Sequence, residues 1–132
     1  MRKSLARQSP NYRLLFRALF RNIDLDKNLL FFNKGRDAMI YGLKLLDIAP
    51  GSVILVPAYI CDATIEPLRQ HGYKPVFVDI QEDLNLNLKC VEDMIVSLDV
   101  TAVLAVHYFG FGVDMRNLKK LCDVHNVKII ED

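Results

Sequence analysis

The sequence predicts an α/β fold, a sheet rich in parallel strands with helices on both faces. Three observations predict it. Four short runs of β-branched and other apolar residues, SVILVPAY, KPVFVDI, TAVLAVHYF and VKIIED, recur along the chain. Segments of helical length separate them. The runs are apolar along their length rather than alternating, which is the pattern of strands buried on both faces.

The elements follow in order. Residues 1–23 hold six basic side chains (Arg2, Lys3, Arg7, Arg13, Arg17, Arg21) and no acid. Leu14, Leu15, Ala18 and Leu19 share one helical face and the arginines spaced by four another, so residues 1–30 read as a basic helical arm. An Arg-rich start also suits a mitochondrial presequence, but an amphipathic helix accounts for it as well. In RDAMIYGLKLLDI, Ala38, Tyr41, Leu45 and Leu46 recur at helical spacing, from a start about Arg36 to a break at APG. SVILVPAY is a strand closed by Pro57. ATIEPLRQHG is a helix ending at Gly72, with Pro67 at a kink or late in the first turn. KPVFVDI is the second strand and LNLKCVEDMIVSL the next helix. TAVLAVHYF is the third strand. DMRNLKKLCDVHN is a helix with Asp114 as N-cap and Asn126 near its end. VKIIED is the fourth strand. Residues 31–132 therefore form one βαβ array, and ligands in such sheets sit beyond the carboxyl ends of the strands.

Composition narrows the function. A net charge of +1 gives no electrostatic case for nucleic acid, and 52% apolar residues support a packed core. No apolar run approaches the roughly 20 residues of a membrane span. Three cysteines, Cys61, Cys90 and Cys122, are odd in number and lack C-x-x-C spacing. They read as buried thiols in a reducing compartment, with neither a disulfide framework nor a zinc site, and a cytoplasmic protein is expected. The glycine signatures for dinucleotides and nucleoside triphosphates are absent, as is the nucleophile elbow. His71, His107 and His125 have no ligand spacing, and no metal is expected. Gly35, directly before a helix, leaves amides free to bind an anion, with Arg36 adding charge. The same residues read equally as a plain turn with Asp37 as a first-turn acid.

The ordered set GRDAMIYGLKLLDIAPG, SVILVPAYICDATIEPLRQHGYKPVFVDIQEDLNLN, AVLAVHYFGFGVDM and VKIIED resembles the N-terminal part of the DegT/DnrJ/EryC1/StrS sugar aminotransferases over residues 31–132. The resemblance implies the large domain of the pyridoxal-phosphate-dependent transferases of fold type I, here incomplete. It implies pyridoxal 5′-phosphate as cofactor, glutamate as amino donor, a nucleotide-linked keto sugar as acceptor, and a homodimer. It places the phosphate at the helix start of Gly35, Arg36 and Asp37. The family has small or hydroxyl residues at the last two positions, so their amides are the safer assignment than their side chains. It places the ring stacked on the cofactor in PAYICDAT, where Cys61 occupies the usual aromatic position and Tyr59 stands two residues earlier. It makes Asp132 the catalytic partner of the pyridine nitrogen. A carboxylate there keeps that nitrogen protonated, so the ring can draw electrons from a substrate carbanion. Glu131 alternates to the other face and reads as structural. His107 and its glycine-bearing loop match the site entrance, with Gly110 and Gly112 serving turns.

The family's Schiff-base lysine follows the Glu-Asp strand, and Lys119 and Lys120 sit on a helix away from strand ends. The 132 residues alone are thus expected to be inactive. A last strand without a covering helix also reads as a domain cut short. Two other readings stand beside this one. One is a non-catalytic, degenerate paralogue serving as a binding or partner subunit. The other is a free-standing small-ligand domain in which Asp79, Glu131 and Asp132 hold a divalent cation.

Overall fold

The computed structural model describes residues 30–132, so all but the last residue of the basic arm lies outside the described residues. The chain divides into two compact units, Met1–Ala38 and Met39–Asp132. The elements are α1 (Gly35–Leu45), β1 (Val53–Pro57), α2 (Asp62–Gln70), β2 (Lys74–Val78), α3 (Leu88–Ser97), β3 (Val100–Ala105), a 3₁₀ turn (Tyr108–Gly110), α4 (Met115–Val124) and β4 (Lys128–Glu131). The four strands form one parallel sheet in the order β2-β1-β3-β4.

Alternation along the strands splits the core into two layers. Leu55, Val78, Val103 and Ala105 face one way and meet Val91 and Ile95 of α3 and Leu118 and Cys122 of α4. Ile54, Val56, Ala102 and Leu104 face the other way and meet Ile40 and Leu43 of α1 and Ile65 and Leu68 of α2. Each fully buried leucine or isoleucine contributes about 1.5–3 kcal/mol of transfer free energy. The expectation of helices on both faces therefore holds, and the helices that follow β1 and β3, α2 and α4, lie on opposite faces. The chain leaves β1 over the α2 face to reach β2. It returns under α3, passes β1 and enters β3. Between β1 and β3 the winding reverses. Their register shifts once there, Val53 pairing Val100 and Ile54 pairing Ala102, so Thr101 is unmatched.

Three helices enter the sheet through the same corner. A left-handed residue follows each of α1, α2 and α4: Asp47 (φ 55°), Gly72 (φ 82°) and Asn126 (φ 55°). The residue after it donates back five residues, Ile48 to Leu43, Tyr73 to Leu68 and Val127 to Cys122, at 2.9–3.0 Å. This is the Schellman closure, and its apolar closing residue is buried each time. The Tyr73 hydroxyl also donates to the Ile48 carbonyl at 3.2 Å, joining two corners.

Several expectations are corrected. The buried face of α1 is Ile40 and Leu43, while Leu45 and Leu46 are 61% and 43% exposed. The helix stops at Leu45, and the left-handed turn at Asp47 tucks Ile48 into the core in their place. Helix α2 ends at Gln70, two residues before Gly72, and Pro67 lies inside it. Strand β3 ends at Ala105 rather than running to Phe109, because the chain turns into the 3₁₀ segment. The outer strands are only half covered, with Phe77 of β2 44% exposed. Of the three cysteines only Cys122 is buried; Cys90 is intermediate and Cys61 exposed. Asp114 does cap α4, its carboxylate accepting from the Asn117 amide at 3.2 Å.

Candidate active site

The reversal of winding directs attention to the carboxyl ends of β1 and β3, where a crevice opens in doubly wound sheets. The residues that follow these strands are Ala58–Cys61 and Val106–Val113. The Tyr108 hydroxyl donates to the Tyr59 main-chain carbonyl across that gap. The two rings lie 5.6 Å apart, tilted at 44°. Burial first, then the Tyr59 and Asp132 charges, push the Tyr108 phenol above its ordinary pKa of 10.0. Tyr108 is thus a neutral donor well past neutral pH.

Asp132 continues the ladder beyond β4. Its amide donates to the Ala105 carbonyl and its own carbonyl accepts from the His107 amide, both at 2.8 Å. The backbone that carries the carboxylate is therefore fixed, while the side chain stays exposed. His107 Nδ1 accepts from the Val113 amide at 3.1 Å, which requires that nitrogen to be unprotonated. The ring proton then sits on Nε2, 3.3 Å from the Glu131 carboxylate. His107 and Glu131 tie the loop to the strand end, and Asp132 stands beside that tie.

Cys61 is the N-cap of α2 and makes no side-chain cap. Its sulfur lies 3.7 Å from the Thr64 hydroxyl. The two residues left open in the sequence thus differ: Tyr59 meets Tyr108, which feels the Asp132 charge, and Cys61 stands exposed at a helix start. Tyr108 was missed in the sequence, although its place next to His107 in HYFGFG could have flagged it.

Gly35, Arg36 and Asp37 belong to the other unit. All three are exposed at the start of α1. The first amides engaged there are those of Asp37 and Ala38, both donating to the Lys34 carbonyl, at 3.1 and 3.3 Å. Those of Gly35 and Arg36 precede them, as the unsatisfied donors of a helix start do. Among the described residues no three His, Cys, Asp or Glu side chains gather as a metal site. Asp79, Glu131 and Asp132 therefore do not form the cation cluster.

Strand order and site together define a parallel α/β domain with polar and aromatic groups gathered at its switch point. Residues 4–132 match the DegT/DnrJ/EryC1/StrS aminotransferase family, and the chain belongs to that family. It is 31% identical over 98 residues to a UDP-N-acetyl-3-dehydro-alpha-D-glucosamine 3-aminotransferase of Acidithiobacillus ferrooxidans, covering 74% of this chain and 27% of that protein. A crystal structure of S. venezuelae DesV in complex with a ketimine intermediate matches with a TM-score of 0.69 and 35% identity, over 75% of this chain and 27% of the other. Bacillus subtilis ntda with bound cofactor PMP matches with a TM-score of 0.67 and 28% identity, over 74% and 22%. The chain thus spans about a quarter of the length of these relatives.

Proposed function

We propose that this chain is the N-terminal part of the large domain of a pyridoxal-phosphate-dependent aminotransferase, which moves an amino group from glutamate to a nucleotide-linked keto sugar. The observation that carries the reading is Asp132. In a chain of this family, its carboxylate stands at the carboxyl end of a parallel strand, held through both of its main-chain groups.

The residues present fit the cofactor by their chemistry. A free carboxylate suits a protonated ring nitrogen, an exposed tyrosine face suits a flat heterocycle, and uncovered amides at a helix start suit a phosphate. Asp132 would hold the proton at the pyridine nitrogen. The Gly35 and Arg36 amides would bind the phosphate, with the Arg36 guanidinium adding charge and the Asp37 carboxylate turned away. Tyr59 or Cys61 would cover the ring. His107, through Val113 and Glu131, would keep the entrance loop in place. When bound, pyridoxal phosphate supplies the electron sink that stabilises the substrate carbanion.

The lysine such an enzyme requires is not in position among the described residues. Lys74 and Lys128 open strands, Lys44, Lys89, Lys119 and Lys120 lie on helices, and Lys34 directly precedes α1. Activity is accordingly assigned to the intact protein, acting as a homodimer, and the 132 residues alone are inactive. Among the described residues no helix is long and apolar enough to cross a membrane. Together with the unpaired thiols this fits a cytoplasmic enzyme.

The test adds L-glutamate to the intact protein loaded with pyridoxal phosphate and follows the cofactor absorbance. Conversion to the amino form, then reversal by a nucleotide-linked keto sugar, is expected. A protein that binds the cofactor yet leaves its spectrum unchanged would sink the catalytic reading. The departures from the family pattern at Arg36, Asp37 and Cys61 would then favour a partner subunit without activity.

A further inference from the structure

The switch point between β1 and β3 is bridged by one side chain. Tyr108 follows His107, whose amide bonds to Asp132, so it leaves the backbone one residue past the rung that fixes the carboxylate. From there its hydroxyl reaches the Tyr59 carbonyl, 49 residues away in sequence. The bond holds the turn after β1 at its second residue, and the two rings lie in contact at an intermediate tilt of 44°. Tyr59 remains 58% exposed, so one side of its ring is free. Cys61 is held only within its own helix turn, its carbonyl accepting from the Thr64 amide at 3.0 Å and its thiol lying 3.7 Å from the Thr64 hydroxyl. Phe109 and Phe111 of the same loop are 80% and 71% exposed and make no ring contact among the described residues.

We infer that Tyr108 is a positioning residue: its hydroxyl pins the turn after β1 so that Tyr59, not Cys61, presents the aromatic face beside Asp132 to a flat nitrogen heterocycle. The inference rests on the pyridoxal-phosphate reading and deepens it, because it names which ring serves and what holds it. It also explains how the site dispenses with an aromatic residue at position 61. The aromatic surface moves two residues back and gains its rigidity from the neighbouring loop. The raised phenol of Tyr108 is consistent with this, as the donor stays protonated.

The experiment uses the intact protein freed of cofactor, with pyridoxamine 5′-phosphate as the probe because it carries no aldehyde to react. Binding is followed by fluorescence and by the circular dichroism induced in the bound ring. Losing one hydrogen bond, Tyr108→Phe weakens binding about two- to tenfold and reduces the induced band. Tyr59→Leu keeps the carbonyl that Tyr108 uses but removes the ring, and weakens binding by at least as much. The double variant binds no worse than Tyr59→Leu, because Tyr108 acts through Tyr59. Far-ultraviolet spectra establish that each variant is folded. Should Tyr108→Phe misfold, unchanged affinity in Tyr59→Leu would still overturn the inference, because a positioned ring that does not bind leaves Tyr108 nothing to position.

Unchanged affinity and band in Tyr108→Phe or in Tyr59→Leu would overturn the inference alone, as would a Cys61→Ala variant that weakens binding as much as Tyr59→Leu. Absence of pyridoxamine phosphate binding by the unmodified protein would overturn the cofactor reading and this inference with it.

Discussion

The two ends of the sheet are built on different terms. At the amino ends of β1, β2 and β4, the chain arrives through a left-handed residue and a buried apolar one, Asp47–Ile48, Gly72–Tyr73 and Asn126–Val127. Each corner closes a helix with its own backbone and leaves little surface. At the carboxyl ends, the chain departs through exposed aromatic and charged residues: Tyr59, Phe109, Phe111, Glu131 and Asp132. Tyr59 and Glu131 among them are held by bonds from another segment, Tyr108 to Tyr59 and His107 to Glu131. Closure with local backbone suits stability. Cross-loop bonds that leave side chains in solvent suit a ligand. Substitutions at one end should therefore change unfolding and leave binding alone, and at the other end the reverse.

The largest effect expected is at the carboxyl end. In the intact protein, Asp132→Asn should lower amino transfer by about a hundredfold or more, as the loss of a preorganised charge partner does. Its thermal midpoint should stay within about a degree, since both main-chain bonds of Asp132 survive the change. A midpoint that falls as activity falls would erase the distinction between the ends. Next comes Gly72→Ala at the amino end. An L-residue at φ 82° costs about 1–2 kcal/mol. A new Cβ would also stand 3.2 Å from the Pro50 side chain. Unfolding by denaturant should show that loss, while pyridoxamine phosphate affinity stays unchanged. Asp114→Ala is smaller, at about 1 kcal/mol, because it removes the cap bond to Asn117 and leaves that orphan amide to water. The same denaturant curves measure it. A larger loss there than at Gly72 would show that the loop side carries more of the stability than its exposure suggests.

The same division marks what the sequence could disclose. The strands, their order of appearance and the Asp114 cap were legible, because apolar runs, breakers and capping residues act over a few neighbours. Asp132 was placed at a strand end by counting alone. The buried face of α1 was not legible: the period admitted both Ala38–Tyr41–Leu45 and Ile40–Leu43, and the left-handed turn at Asp47 decided between them. Nor was Tyr108. Its place beside His107 marks it as a loop residue, but its partner lies 49 residues away, so the bond its hydroxyl makes is not local information. The choice between Tyr59 and Cys61 stayed open in sequence for the same reason, since two residues in one turn differ only through what the neighbouring strand brings beside them.

The last comparison sets one thiol from each region against the other. Cys61 lies exposed on the turn after β1, and Cys122 lies buried in α4, its carbonyl accepting from His125 and Val127 in the amino-end corner. Burial pushes the Cys122 thiol up from 9.0 to about 11, with Asp123 adding to the rise and Lys119 opposing it. The folded chain thus binds this proton more tightly than the unfolded chain does. The stability it contributes is complete below pH 9 and is lost as the pH rises toward 11. A fall in unfolding free energy across that window, absent in Cys122→Ala, is the expected outcome. A thiol reagent at neutral pH should label Cys61 at once and Cys122 only as fast as the domain opens. Equal labelling rates would mean that the α4 corner opens as readily as the ligand-side loop, and the contrast between the two ends would then not survive.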